Sequence, residues 1–245
     1  MESEKGMRTM RYLTEMHFLY NDKIVHEEFN KEQFFHFLQD DSFLSTNKVA
    51  KQYRKKEVLI REQEEVRDLF FIKEGCVMAT QESKRVMSFH ASGDIIGLEN
   101  LILYSDAKYS FEVISDKVSI IKCNKAEMVE KILNAQEGYL YYYIHLQNLI
   151  QHLRNKEELL RLSSEQRINL VLFCCALKYG EKKHGTTKVC FPKYINKGII
   201  AKYSNLNPNT VTVSLQKLEE AKIIESVRRK MYIDLAKLEK RLDGC

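Results

Sequence analysis

The chain has 245 residues, of which 44% are hydrophobic and 30% charged, with only 2 prolines and 9 glycines. This is ordinary globular composition, enough for two domains at roughly 100–200 residues each, and it excludes a disordered chain or one with a Pro/Gly-rich linker. The net charge of +5, from 39 basic and 34 acidic residues, is too small to identify a partner by itself.

Residues 1–29 mix charges and aromatics without a firm period and read as an N-terminal extension. The start, MESEKGMRTMRYLTEMHF, lacks a clean apolar stretch and a small-residue cleavage site. No apolar run approaches the ~20 residues that span a bilayer, so a cytoplasmic protein without a membrane partner is expected. The six cysteines, Cys76, Cys123, Cys174, Cys175, Cys190 and Cys245, form no ligand-spaced cluster, and no metal site is expected. From Asn30 the segment NKEQFFHFL predicts a short helix with Phe34, Phe35 and Leu38 on one face. Between about Lys48 and Cys123 the texture becomes KVAKQY, EVLI, DLFFI, CVMAT, RVMSFH, YSFEVI and VSIIKC, broken by turns at Glu74-Gly75, Ser92-Gly93-Asp94 and Ser115-Asp116. β-branched and aromatic runs at that spacing predict an antiparallel roll, giving a β domain over 30–136.

The stretch from Glu137 to Leu160 predicts one long helix, assigned to 137–162. Tyr143, Leu146, Ile150, Leu153 and Leu160 fall on a 3-4 heptad seam, and Tyr139, Tyr142 and Leu149 form a second stripe. One stripe is assigned to the chain's own roll and the other to the same helix of a second copy, so a homodimer is expected. An internal core helix without a dimer is the alternative. Beyond Ser163, over 163–245, follow a helix RINLVLFCCALKYG, a charged turn EKKHG, a strand TTKVCF, a helical segment and a strand pair. Cys174 and Cys175 in that first helix read as buried small hydrophobes.

The most informative stretch is NKGIIAKYSNLNPNTVTVSLQKLEEAKII, from Asn196. Asn196 can cap a first short helix with Ile199, Ile200 and Tyr203 inside. Asn205 tolerates the left-handed conformation of a tight interhelical turn. Asn207 can cap a second helix that starts at Pro208, with Val211, Leu215 and Leu218 facing inward. Asn209, Thr210, Thr212, Val213, Gln216 and Lys217 are left on or near its outer face. These groups can read or approach base edges in a major groove, with a leaning toward A·T. The hairpin that follows carries Arg228, Arg229 and Lys230 at its tip, where positive charge suits phosphates. The C-terminal third also concentrates Lys182, Lys183, Lys188, Lys193, Lys197, Lys202 and Lys222, as expected of a chain that binds double-stranded DNA.

The order roll, long helix, winged helix-turn-helix resembles the Crp/Fnr family of transcription regulators over roughly 30–234. The segment GDIIGLENL, from Gly93, resembles the G-D-x-x-G-E-x-x-L opening of the family's phosphate cassette, and NPNTVTVSLQKLEEAKII resembles its recognition helix. The resemblance implies an α+β fold: a cyclic-nucleotide-binding-like β-roll (double-stranded β-helix), a dimerisation helix and a DNA-binding domain. It also implies RNA polymerase as a partner. Pro208, Asn209 and Val213 stand where relatives often read bases, Thr210 where a hydroxyl meets phosphate, and Lys197 where a basic residue meets the backbone.

The cassette departs from the pattern. With Gly93 and Gly97 in place, Leu98 stands where relatives offer a ribose-binding Glu, and Lys108 and Tyr109 where they offer Arg-Ser to a cyclic phosphate. Leu accepts no hydrogen bond and Lys lacks the guanidinium fork, so dependence on cyclic AMP is not expected. A one-residue slip would let Glu99 supply the acid, which keeps a ligand-responsive regulator as the alternative. Haem and an iron–sulfur cluster are likewise not expected, and the drifted cassette is similar to that of PrfA-like members. A cupin-type metalloenzyme, the other reading of a small roll, needs clustered histidines, and only His90 lies in the strand region; His17, His26, His36, His145, His152 and His184 read as surface or packing residues, and no enzyme activity is expected.

Overall fold

The computed structural model describes residues 25, 27, 29–42, 44–135, 137–182 and 186–243. Most of the expected N-terminal extension, together with His17, His26, His184 and Cys245, lies outside the described residues. Helix α1 (Lys31–Gln39) is capped by Asn30, whose side chain accepts from the amides of Glu32 and Gln33, and it buries Phe34 and Leu38 as its spacing requires.

Eight strands follow: β1 (Lys48–Arg54), β2 (Val58–Ile60), β3 (Asp68–Glu74), β4 (Val77–Thr80), β5 (Val86–His90), β6 (Ile95–Ile96), β7 (Ser110–Val113) and β8 (Lys117–Asn124). They form two four-stranded antiparallel sheets, ordered β1-β8-β3-β6 and β2-β7-β4-β5. Phe70, Ile72, Val77, Ala79, Val113, Val118 and Ile120 fill the space between them. The short β6 is new relative to the sequence reading. It falls within GDIIG and pairs with Phe70 and Phe71, so the cassette segment is anchored as a sheet edge. Gly97 ends that edge at φ +96°, and a Cβ there would sit 2.8 Å from the Asp68 carbonyl oxygen. Only glycine fits this position.

Helix α2 (Lys125–Asn134), capped by Asn124, leads into the long helix α3 (Gly138–Arg161). Its seam residues Tyr143, Ile150 and Leu153 are 55%, 43% and 55% exposed and Leu146 is half-buried, so the chain's own core leaves most of that stripe uncovered. The second stripe is corrected: Tyr139 is also exposed, and the inner face consists of Tyr141, Ile144, Lys156 and Leu159.

The C-terminal third begins with α4 (Ser164–Tyr179), opened by a capping box between Ser163 and Gln166. The adjacent cysteines in it lie about 100° apart around the axis. Cys175 is buried as expected and Cys174 is exposed. Part of the expected charged turn is a two-residue strand β9 (Glu181–Lys182), which pairs with β10 (Lys188–Cys190). Then come α5 (Lys197–Ser204), α6 (Pro208–Glu220), β11 (Ile224–Val227) and β12 (Lys230–Asp234), in a sheet ordered β11-β12-β10-β9. A final helix α7 (Leu235–Asp243), not anticipated from the sequence, packs on α4 with Leu238 fully buried.

The roll and the C-terminal third share one apolar cluster, in which Met78, Val86 and Phe89 meet Leu172, Cys175, Ile200 and Ala201. Helix α5 lies directly against β5. The Phe89 ring is 5.0 Å from Tyr203 and 6.1 Å from Tyr179, whose hydroxyl donates to the Phe89 carbonyl at 3.2 Å.

Candidate nucleic-acid interface and cavity

The pair α5 and α6 is built as its residues dictate. Asn196 accepts from the Ile199 amide at 3.1 Å, and Asn205 adopts the left-handed conformation at φ 53°, ψ 48°. Asn207 accepts from the Asn209 amide at 2.9 Å, and Pro208 stands at the helix start, where a missing N–H costs nothing. Val211, Leu215 and Leu218 are buried.

Burying that face turns the other outward. Lys197, Asn207, Pro208, Asn209, Val213, Gln216 and Lys217 are exposed, while Thr210 and Thr212 are half-buried. Thr212 spends its hydroxyl inside the helix, donating to the Pro208 carbonyl at 3.1 Å, so its methyl is the group left to offer. The surface combines two carboxamides, apolar methyls and a lysine, a set that matches major-groove base edges.

The hairpin β11–β12 pairs Val227 with Lys230, leaving a two-residue turn of Arg228 and Arg229 at φ 48° and 63°. Such a turn favours Asn-Gly, yet here it holds two arginines, and both are exposed with Lys230 beside them. Ser226 of the hairpin donates to Glu219 at the end of α6, tying hairpin and helix together.

A second feature lies between roll, long helix and C-terminal third: a cavity of about 1070 Å³ whose lining includes Lys31, His90, Asp94, His145, His152 and Lys178. Among the cassette residues Gly93, Glu99, Lys108 and Tyr109 also line it. Leu98 does not, being fully buried with Leu69, Phe71 and Met128. Of Leu98 and Glu99, the residue facing the cavity is therefore Glu99, which accepts from the Gly97 amide at 3.4 Å. These residues fit a cyclic nucleotide poorly, because one lysine and the bulky Tyr109 stand where a guanidinium and a small hydroxyl are needed. Among the described residues no three His, Cys, Asp or Glu side chains come together as a metal site.

The sequence reading missed the polar lining. His145 and His152, read as surface or packing residues, are seven apart on the inner face of α3 and both border the cavity. Lys31 pairs with Asp94, and His90 shares a 2.8 Å hydrogen bond with Ser88. Burial holds the His90 imidazole down at about 4, against an ordinary 6.5, with the Asp94 charge opposing the shift. A base whose folded pKa is depressed contributes stability that is complete above 6.5 and lost as pH falls through 4. Denaturant titrations are expected to show that loss, on the order of 3 kcal/mol, diminished in His90→Gln relative to the parent. Equal pH slopes for both proteins would refute the burial of this ring.

Residues 50–135, most of the roll, match the family model of the cyclic nucleotide-binding domain. No curated protein matches the chain by sequence. Among solved structures, FixK2 from Bradyrhizobium japonicum is 17% identical with a TM-score of 0.67, covering 79% of this chain and 96% of its own. A cyclic nucleotide-binding domain containing protein from Listeria monocytogenes is 18% identical with a TM-score of 0.65, covering 86% of this chain and 99% of its own. The CRP-family transcriptional regulator TTHB099 from Thermus thermophilus is 20% identical with a TM-score of 0.64, at 79% and 96% coverage. The chain therefore has the fold of the Crp/Fnr-type regulators, a roll joined by a long helix to a C-terminal domain. None of the described helices is long and apolar enough to cross a membrane.

Proposed function

We propose that the chain is a sequence-specific DNA-binding transcription regulator of the Crp/Fnr type, not an enzyme, that works as a cytoplasmic homodimer and contacts RNA polymerase. The observation that carries the reading is the exposed face of α6 beside an arginine-tipped hairpin. Two helices related by a dimer axis would enter successive major grooves of a palindromic duplex with half-sites one helical turn apart, about 34–36 Å. The exposed seam of α3 supplies the surface for the second copy. Phosphate contacts from Lys197 and the wing provide affinity, and Asn209, Val213 and Gln216 provide sequence preference.

Cyclic AMP is not the effector in this reading, given Lys108 and Tyr109 in the cavity lining. The cavity supports a second reading, a regulator of the same fold that answers another small ligand, because its lining reaches both the roll and Tyr203 of α5. Selection of binding sites from random duplex DNA, without added ligand, tests the first reading. An enriched palindrome, bound with a steep salt dependence, is the expected outcome. Asn209→Ala and Gln216→Ala should then alter base preference by about 1–3 kcal/mol at individual positions. Absence of any enrichment, with or without cell-extract small molecules, would overturn it.

A further inference from the structure

The last carbonyls of a helix have no partner within it and carry the negative end of its dipole. At the end of α5 two of these carbonyls are held by cations from elsewhere. Lys156 of the long helix donates its ammonium to the Tyr203 carbonyl and sits 3.3 Å from the centroid of the Tyr203 ring. Arg167 of α4 donates to the Ser204 carbonyl at 2.9 Å, and its other terminal nitrogen donates to the carbonyls of Leu160 and Leu162 at 2.8 and 2.9 Å. The ends of α3 and α5 are therefore gripped together at one point.

That point is mechanically important for the proposed reading. Only Asn205, Leu206 and Asn207 separate Ser204 from the start of α6, and the turn is fixed by the left-handed Asn205. On the other side, Lys156 follows Leu153 by three residues and precedes Leu160 by four, so it borders their exposed stripe while its own side chain is buried. It therefore links the dimer seam to the helix that would read DNA. Its position is also an expensive one, because a lysine that is only 9% exposed gives up hydration that a methionine would not need. Burial holds its ammonium down to about 7. Packing alone does not account for a cation there.

Resting on the homodimer proposed above, we infer that Lys156 is a positioning residue that fixes the angle of the helix-turn-helix on the long helix and so sets the operator spacing the dimer accepts. It touches no DNA, so its removal should leave base preference and salt slope intact and broaden the spacing tolerance. The experiment is a titration of full-length protein against its selected palindrome and against versions with one base pair added to or removed from the centre. The parent is expected to show one sharp optimum. In Lys156→Met, affinity at that optimum should fall about tenfold, because a helix pair no longer held at one angle binds with less preorganisation, and the three duplexes should bind nearly equally. Lys156→Arg should restore a narrow profile. Lys156→Gln, which keeps a donor and most of the volume, should give an intermediate width and covers the case of a methionine variant that does not fold. A parent with a sharp optimum and neutral variants with the same profile would overturn the role of Lys156 alone; a parent without any palindrome preference would overturn the dimeric reading beneath it.

Discussion

Replacing Arg228 by Asn and Arg229 by Gly is expected to make the protein more stable and a weaker DNA binder at the same time. Both residues sit in the left-handed region, where an L side chain with a Cβ is disfavoured by about 1–2 kcal/mol, and Asn-Gly is the pair this turn accepts best. Relief of that strain should appear as a gain of about 1–2 kcal/mol in urea denaturation. Strain retained at an exposed tip, where almost any residue could be accommodated, is an argument that the side chains serve binding. Losing two phosphate contacts should reduce the slope of log affinity against log salt by about 2 and weaken all duplexes alike. The control is Arg228→Lys with Arg229→Lys, which keeps both charge and strain and should retain most of the binding without the gain in stability. Unchanged DNA affinity in the Asn-Gly protein would show that the hairpin does not meet DNA, and a loss of stability would show that the turn has another conformation.

The helix pair was legible in the sequence because its signals are local. Asn196, Asn205, Asn207 and Pro208 each satisfy a backbone requirement within a few residues, and the structure uses all four as the spacing predicts. The strands of the roll were legible for the same reason, through β-branched runs closed by turn residues. The inner face of α3 was not. Where it borders the cavity it carries His145, Asn148 and His152, so a search for apolar stripes selected Tyr139, Tyr142 and Leu149 and placed Tyr139 on the wrong side. The helix α7 was missed because it follows β12 without a linker that would mark its start. The grip of Lys156 and Arg167 on α5 joins residues 37 to 47 positions apart through backbone carbonyls. No periodicity or motif records a contact of that kind. Leu98 and Glu99 show the same limit: motif alignment placed Leu98 in the ligand position, and the strand β6 with its Gly97 turn directs it into the core instead.

Charging the seam of the long helix, by Ile150→Glu with Leu153→Glu, is expected to separate the two copies and abolish palindrome binding. Tyr143, Leu146, Ile150 and Leu153 repeat at alternating steps of three and four and Leu160 follows seven residues on, with Glu157 at the intervening position; this spacing keeps one stripe facing a partner helix. Folding leaves four of these five side chains at least 38% exposed, whereas Tyr141, Ile144 and Leu159 on the opposite face are buried. An apolar stripe that its own chain leaves largely uncovered is accounted for by a second copy, since a two-fold axis makes such a stripe complementary to itself. Four glutamates brought onto one seam would repel and lose hydration together, so sedimentation should give the monomer mass of 28.9 kDa for the variant and twice that for the parent. Because these residues are exposed in the single chain, the variant should keep its fold and its melting behaviour. Its affinity for an isolated half-site should then be unchanged, while the roughly 10²–10⁴-fold advantage of a palindrome, which comes from linking two sites, should vanish. The two substitutions thus separate what the winged domain contributes from what pairing contributes. A variant that stays dimeric with full palindrome affinity would place the axis on another surface, and the exposed stripe would then have to be covered by something other than its own copy.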